Sequence, residues 1–230
     1  MTEFGIEGVF VGRPSVLGYR GTKPVLSAIT KAAVDVPELT LTELNLDGDD
    51  QADRTVHGGV DKAVYVYPAA HYPAWEADGF PGDFGFFGEN VTVSGPLEDD
   101  VRIGDVWAWG DALLQVSQPR RPCFKMVMKA GRPDVVPMLV DSGRSGWYLR
   151  VLRTGKVPTT GSLRLVSRSE GPTIAEVYLV SFANFAQLPP RHFDAALALA
   201  ERVLATPELA DQYRRSMEST VERWRVRRAG

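Results

Sequence analysis

The spacing of apolar residues changes near Gly171-Pro172, and this change constrains the fold more than any other feature of the sequence. Before it, short runs of β-branched and aromatic residues are separated by clusters of Gly, Pro and Asp, which is typical of a barrel or sandwich built from many short strands. After it, apolar residues recur at the i, i+3, i+4, i+7 spacing of amphipathic helices. The pattern predicts a mainly β domain over residues 1–171 and a small three-helix domain over residues 172–230.

Several segments of the first part have the composition of strands. The clearest are residues 39–44, 63–67, 90–93 and 163–166. Residues 101–109, Gly110-Asp111 and residues 112–117 have the pattern of a hairpin with a two-residue turn led by glycine. The second strand of this hairpin leads the chain directly to Cys123.

Three helices are predicted in the last part of the chain. The first covers residues 173–182, and the second is bracketed by Pro189-Pro190 and Pro207. The third is expected to begin at Pro207, with Thr206 as its N-cap. An apolar stripe on this third helix consists of Leu209, Tyr213, Met217, Val221 and Trp224.

Composition narrows the class of protein. The chain has 230 residues, of which 44% are hydrophobic and 24% charged, as in ordinary globular proteins. It contains no apolar run long enough to span a bilayer, and the first ten residues lack the pattern of a signal peptide, so we expect a cytoplasmic protein without a membrane partner. A net charge of -3 argues against nucleic acid as a partner. The arginines of the last helix form either a solvated face, which is the interpretation that we prefer, or a local basic patch that contacts nucleic acid. The oligomeric state stays open.

The one cysteine, Cys123, follows a predicted strand and lies among cations and prolines. The thiolate is both the nucleophile and the soft metal ligand, and the nearby Arg120, Arg121 and Lys125 favour its formation. The same guanidinium groups suit an anionic ligand such as phosphate. The alternative is a small buried hydrophobe, the usual fate of a free cysteine. Prolines and charges are poor surroundings for a core position, so we expect a functional thiol.

A second cluster runs from Asp53 to Lys62 and contains His57, Gly58 and Gly59. The glycine pair permits positive φ angles and close approach of a ligand, so this loop is a candidate anion cradle. His57 can donate a proton near neutral pH. A simple turn with a structural histidine is the alternative.

Two further loops have candidate ligand-binding residues. Glu89 and Asn90 offer donors and acceptors for the edge of a heterocycle, whereas the alternative for Asn90 is to stabilise a tight turn. The loop 141–148 combines glycines, a cation and aromatic residues. It either closes over a ligand or connects two strands.

Taken together and in order, several segments resemble one known family. They are Lys31, residues 53–62, 87–90 and 103–105, residues 116–120 with Pro122-Cys123, and residues 146–148. Their combination is similar to the MOSC domain, named for the C-terminal domain of molybdenum cofactor sulfurase. The likeness is greatest to the YiiM-type branch, in which a MOSC β-barrel precedes a small three-helix domain. The resemblance covers most of the chain, and the joint occurrence of these motifs is far more specific than any one of them.

This resemblance implies a site for a molybdopterin-type molybdenum cofactor, with Cys123 as the metal ligand or sulfur carrier. Catalytic roles are implied for Cys123, His57 and Lys31. The remaining implied cofactor-binding residues are Arg54, Gly58, Gly59, Asp61, Lys62, Glu89, Asn90, Gln118, Arg120 and Arg121.

The activity implied by the YiiM-type likeness is reduction of N-hydroxylated compounds, such as hydroxylaminopurines and amidoximes. A protonated His57, assisted by Lys31, would supply the proton that lets oxygen leave as water. The chain has no flavin fingerprint, C-x-x-C cluster or P-loop, so we expect a separate redox protein as electron donor. The alternative is a sulfur carrier with a persulfide on Cys123, supplied by a pyridoxal-phosphate-dependent desulfurase.

Overall fold

The computed structural model describes residues 2–52, 58–183 and 189–229. The strands are β1 (Glu3–Val11), β2 (Ser15–Arg20), β3 (Lys23–Ser27), β4 (Ala32–Ala33), β5 (Glu38–Leu41), β6 (Val64–Pro68), β7 (Val91–Ser94), β8 (Val106–Trp109), β9 (Ala112–Pro119), β10 (Trp147–Arg153), β11 (Gly155–Pro158) and β12 (Ser162–Ser167). The helices are α1 (Tyr72–Ala77), α2 (Phe124–Ala130), α3 (Val135–Ser142), α4 (Ile174–Phe182), α5 (Pro190–Ala205) and α6 (Asp211–Ala229).

Within the described part of the chain, seven strands form a closed barrel in the order β12-β8-β9-β10-β6-β7-β1, and β1 pairs again with β12. The closing register places Phe4 opposite Leu163. β6 and β7 run parallel, whereas the other neighbours in the barrel are antiparallel. Closure leaves this seven-stranded barrel without a free edge, and two further sheets, β11-β5 and β2-β3, have two strands each. The predicted β-barrel followed by helices is confirmed, and of the two β architectures the barrel is the correct one.

The predicted hairpin is present, but its first strand is shorter than expected. Trp109 pairs with Ala112 across Gly110-Asp111, and Gly110 has the positive φ of 54° that this tight turn requires. The strand begins at Val106, and a turn precedes it. In this turn the Asp105 carboxylate accepts hydrogen bonds from the backbone N–H of Arg102 (3.0 Å) and of Ser169 (2.8 Å). A side chain that binds the local backbone in this way competes with ladder pairing.

One continuous apolar core joins the barrel to the C-terminal helices. Trp107 and Trp147 fill the barrel interior, and the same cluster includes Val177, Val203 and Met217 from the helices. Burying these side chains together stabilises the packing of the helices on the barrel. The end of β12 at Ser167 and the start of α4 at Ile174 lie on either side of residue 171. The division into two domains stays a prediction.

The C-terminal helices match the predicted positions except at one terminus. α4 begins with a capping box, in which Thr173 Oγ1 accepts from the N–H of Glu176 (3.1 Å) and Glu176 Oε2 accepts from the N–H of Thr173 (2.8 Å). α6 begins at Asp211, so the prediction that Thr206 caps it and Pro207 starts it is wrong. Thr206 instead donates to the carbonyl of Arg202 at the end of α5 (3.0 Å). The predicted apolar stripe is buried, and four of its five residues lie on α6, whereas Leu209 precedes that helix.

Three short helices, α1 to α3, were not anticipated from the sequence. Each is eight residues or shorter, too short to show a clear helical period. Of these, α2 determines the site, because its N-cap is Cys123. None of the helices in the described ranges is both long and apolar enough to cross a bilayer.

Candidate functional site

Cys123 lies where the chain leaves the barrel. At the end of β9, Gln118 and Pro119 pair with β10, and the chain then crosses to Cys123 at the start of α2. The Cys123 side chain is half-buried and lines a cavity together with Arg120, Arg121 and Lys125. The thiol is therefore a cavity residue among cations and does not belong to the apolar core.

The cavity has a volume of about 110 Å³ and a polar lining. The side chains with functional groups on its wall are those of Ser27, Lys31, Asp49, Asp50, Gln51, Lys62, Tyr65, Asn90, Arg120, Arg121, Cys123, Lys125 and Tyr148. Barrel strands, the loop before β7 and the start of α2 all contribute to this wall. The structure thus gathers residues that are far apart in the sequence around one thiol.

The two arginines before Cys123 have unsatisfied donors. Arg120 is only 5% exposed, and its Nη1 donates to no described residue. Its guanidinium lies 5.7 Å from the ring centroid of Tyr65. Arg121 stacks on Tyr213 at 4.7 Å, and its Nε also finds no acceptor among the described residues. A buried guanidinium donor without a partner is costly, so both positions favour an anionic ligand.

Lys31 contributes a second cationic group to the cavity, paired with Asp49. Lys31 Nζ donates to Asp49 Oδ1, and the same carboxylate accepts from the N–H of Gly12 (2.7 Å) and from Asn90 Nδ2 (2.8 Å). Burial lowers the pKa of Lys31, and the neighbouring Asp49 charge opposes that shift. A buried ammonium with a lowered pKa is a better proton donor near neutral pH than an exposed lysine.

Asp49 is one of the site residues that sequence reasoning missed. It stands in the acid-rich run 47–50, which has the composition of an exposed turn, and nothing in the sequence links it to Lys31. Only the fold brings the two side chains together across the cavity wall.

Replacing Asp49 with asparagine is expected to destabilise the protein. Both members of the pair with Lys31 are buried, with side chains 6% and 4% exposed, so the change leaves an uncompensated ammonium. Breaking such a pair costs about 3 kcal/mol, which lowers the melting temperature by roughly 6–12 °C. Differential scanning calorimetry measures this shift. Asp134→Asn, which breaks an exposed pair with Arg132, is the control and should leave the melting temperature unchanged. Equal melting temperatures for Asp49→Asn and the wild type would show that the pair does not stabilise the fold.

Comparisons with known proteins identify the family. The MOSC domain model matches residues 53–163. YiiM of Escherichia coli is 40% identical over 179 residues, which cover 76% of this chain and 77% of that protein. The chain belongs to the MOSC family. The crystal structure of YiiM from Geobacillus stearothermophilus superposes with a TM-score of 0.76 at 30% identity, covering 95% of this chain and 99% of that one. A protein of Gibberella moniliformis named "Reductase" is 36% identical over 63% of this chain and 26% of its own length.

In this MOSC protein the glycine pair has two different structural roles. Gly59 has a φ of 95°, which favours glycine. At Gly58, an added Cβ would lie 2.3 Å from Gln51 Oε1, the atom that accepts the N–H of Gly59 (2.7 Å). The close approach at Gly58 is thus to Gln51. Arg54 and His57 lie outside the described residues, so their predicted roles stay predictions.

Asp61 and Lys62 attach the loop after the glycine pair to other parts of the MOSC fold. Asp61 forms an ion pair with Arg150 of β10 (2.8 Å). Lys62 lines the Cys123 cavity, and its Nζ donates to Gln212 Oε1 of α6 (2.5 Å). Lys62 therefore links the cavity to the C-terminal helices, whereas Asp61 is absent from the described wall of the Cys123 cavity.

Glu89 and Asn90 differ in position although they are adjacent. Glu89 is buried outside the described cavity wall, where its Oε1 accepts from Tyr72, from the N–H of Gly85 (2.7 Å) and from Thr92 (2.8 Å). Asn90 lines the cavity and orients Asp49 through its amide nitrogen. Asn90 therefore lies at the Cys123 site, whereas Glu89 belongs to a separate, buried hydrogen-bond network.

Lys129 of α2 gives the protein a testable pH dependence. Burial lowers its pKa to about 8, against the opposing charge of Glu89, and Arg120 and Lys31 lower it further. In the unfolded chain a lysine has a pKa of about 10.4, so between about pH 8 and pH 10 Lys129 binds more protons in the unfolded state than in the folded state. The free energy of unfolding therefore rises with pH in that window. In Lys129→Met this contribution disappears.

Urea unfolding of the wild type and Lys129→Met at several pH values measures the effect. We expect the wild type to gain stability relative to the variant from about pH 8 to about pH 10. The exposed Lys156→Met is the control and should show no such trend. If the difference in the free energy of unfolding between wild type and Lys129→Met stays constant over this pH range, the lowered pKa of Lys129 is contradicted.

Proposed function

We propose that this MOSC protein binds a molybdenum cofactor through Cys123 and reduces N-hydroxylated compounds, such as hydroxylaminopurines and amidoximes, to amines or amidines. The observation that carries the proposal is a half-buried thiol that shares a cavity with Arg120, whose buried Nη1 has no acceptor among the described residues. The printed name of the fungal relative, a reductase, supports the direction of the reaction.

The residues of the cavity fit an anionic, metal-bearing cofactor. Thiolate is a preferred ligand of soft metals, and Cys123 is the one cysteine of the chain. Arg120 and Arg121 have donors that no described residue satisfies, as a phosphate-bearing ligand requires. Cys123 would hold the metal, while Arg120, Arg121 and Lys125 would neutralise the cofactor's negative charge.

The bound cofactor would supply a two-electron redox centre for cleavage of the N–O bond. In the overall reaction the N–O bond breaks and two electrons arrive from a donor protein. One proton joins the departing hydroxyl group to give water, and a second proton joins the nitrogen to give the amine or amidine. The chain's own contribution is to hold the reactants and deliver protons. Lys31, a cavity residue whose pKa is lowered by burial, is a proton donor, and Asp49 and Asn90 hold it in place. General acid help of this kind contributes roughly 100- to 10,000-fold in rate.

An activity assay tests this proposal. The protein is produced in a host that makes molybdenum cofactor and is supplied with a chemical reductant, so that no partner protein is needed. We expect conversion of a hydroxylaminopurine to the amine, detected by liquid chromatography, with no conversion when the reductant is omitted. Metal-loaded protein that produces no amine from either a hydroxylaminopurine or an amidoxime would contradict the proposed function.

The sulfur-carrier alternative predicts a different outcome on the same residue. Incubation with a cysteine desulfurase would then add a sulfur atom to Cys123, visible by intact-protein mass spectrometry. A persulfide in protein that reduces no N-hydroxylated compound would favour the carrier. Amine formation without any added sulfur would favour the reductase.

A further inference from the structure

A second cleft of about 230 Å³ begins at Cys123 and runs between the barrel and α6. Its other walls are formed by Gln118, Pro122, Tyr148, Gln212, Tyr213 and Ser216, together with Lys62 and Arg121. Cys123, Lys62, Arg121 and Tyr148 border both this cleft and the first cavity, so the two spaces adjoin at these four residues.

We infer that this cleft, which we call the α6 cleft, binds the ring of a planar N-hydroxylated heterocycle, and that α6 selects the substrate. The inference rests on the proposed function and adds to it a substrate-binding region and a role for the C-terminal helices. Three features support it: a buried polar atom that has no partner among the described residues, the shape and chemistry of the cleft walls, and the contacts that fix α6 against the barrel.

The unsatisfied atom is the side-chain oxygen of Gln118. Gln118 is 4% exposed, and its Oε1 accepts no hydrogen bond from any residue that the structure describes. The residue borders the α6 cleft and the adjoining space next to Gly58 and Gly59. A buried amide oxygen without a donor costs free energy, which a ligand N–H group would recover. Ring and exocyclic N–H groups of an aminopurine or an amidoxime are donors of this kind.

The walls of the cleft suit a flat ring. Tyr148 and Tyr213 offer aromatic surface and Pro122 an apolar one, while Gln118 and Gln212 provide amide groups. Ligand sites of this type combine largely apolar walls with a few polar groups that fix orientation. Arg121 stacks on Tyr213, so the cation that faces the proposed cofactor also fixes a wall of the α6 cleft.

In addition to its buried apolar residues, α6 makes two polar contacts with residues on the barrel side of the cleft. Lys62 Nζ donates to Gln212 Oε1 (2.5 Å), and Arg121 Nη1 donates to Ser216 Oγ. Gln212 and Ser216 are four residues apart and therefore share one face of the helix. The helix thus presents a defined face to the thiol side of the barrel.

The experiment narrows the cleft from the α6 side. In Ser216→Trp a large side chain replaces a small one on the cleft wall. We expect KM for a hydroxylaminopurine to rise by at least about tenfold, while kcat/KM for acetamidoxime, a substrate without a ring, changes by less than about threefold. Ser216→Ala removes the hydrogen bond to Arg121 without filling the cleft, and it should keep the wild-type ratio of the two substrates. Ser219→Trp places the same bulk at an exposed position of α6 outside the described walls of this cleft, and it should match the wild type.

A second variant tests binding without turnover. Gln118→Met keeps the size of the side chain but removes the unsatisfied oxygen. Calorimetric titration of cofactor-free protein with a hydroxylaminopurine should show affinity lowered by about tenfold, and the melting temperature should not fall, because no protein hydrogen bond is lost.

The outcomes separate this inference from the proposed function. If the wild type reduces neither substrate, the proposed function fails. If the wild type reduces both, and Ser216→Trp slows both equally or neither, the substrate ring does not occupy the α6 cleft. Unchanged binding to Gln118→Met would likewise overturn the assignment of Gln118.

Discussion

Replacing Cys123 with serine is expected to reduce turnover of a hydroxylaminopurine by a factor of about 1,000 or more, which corresponds to about 4 kcal/mol of lost transition-state stabilisation. A serine hydroxyl does not ionise near neutral pH and is a harder ligand than thiolate, so it does not replace the sulfur as a ligand of a soft metal. The measurement is steady-state turnover with a chemical reductant. Because Cys123 is half-buried and outside the apolar core, the melting temperature should stay close to that of the wild type.

The neighbouring residue provides the control for this change. Phe124 is 41% exposed and packs against the guanidinium of Arg20 at 5.0 Å, next to the thiol but absent from the described cavity wall. Phe124→Ala should keep most of the turnover. Full activity in Cys123→Ser would contradict the assignment of the thiol, and loss of activity in both variants would indicate damage to the start of α2.

Replacing Arg120 with methionine is expected to affect cofactor retention and stability differently. Arg120 is almost completely buried, and its Nη1 has no acceptor among the residues described. Removing the guanidinium should weaken cofactor retention by about 10- to 100-fold, because a charge-assisted hydrogen bond to an anion is lost. The cofactor-free protein should not lose stability, since replacing a buried, incompletely paired charge with an apolar side chain is often neutral or stabilising.

Two measurements on each variant check this prediction: molybdenum content after gel filtration and the melting temperature of cofactor-free protein. Arg20→Met is the matched control, because it removes an arginine outside the described cavity wall and should keep the metal. Arg120→Lys keeps the positive charge but loses the planar guanidinium that can bind an anion with two hydrogen bonds, so we expect its molybdenum content to be intermediate. A large fall in the melting temperature of Arg120→Met with normal metal content would mean that Arg120 serves the fold and not the cofactor.

Much of the fold could be predicted because its signals are local. The turn at Gly110-Asp111 and the apolar stripe of α6 each depend on residues close together in the chain, and both are present. The error at Thr206 also has a local origin, because Ser and Thr hydroxyls bond the backbone at either end of a helix. α2 was overlooked because its apolar and charged residues are too few to establish a period.

From residue patterns alone, the candidate site was predictable where its residues are adjacent in the sequence, and the family resemblance added Lys31, Lys62 and Asn90, which also line the cavity. Arg120, Arg121 and Cys123 form one such run, and they share a cavity wall. The pairing of Lys31 with Asp49 and that of Lys62 with Gln212 join residues 18 and 150 positions apart. Such contacts depend on barrel closure and on the packing of α6, which residue patterns do not specify. The contribution of α6 to a cleft next to the thiol therefore emerged only from the structure.

The central claim is that Cys123 is the protein ligand of a molybdenum cofactor. Elemental analysis tests this claim most directly, on wild type and Cys123→Ala produced in parallel in a host that synthesises the cofactor. The account predicts molybdenum near one atom per chain in the wild type and a loss of most of it in the variant. Equal molybdenum in the two proteins, or none in a wild type that nevertheless reduces a hydroxylaminopurine, would contradict it.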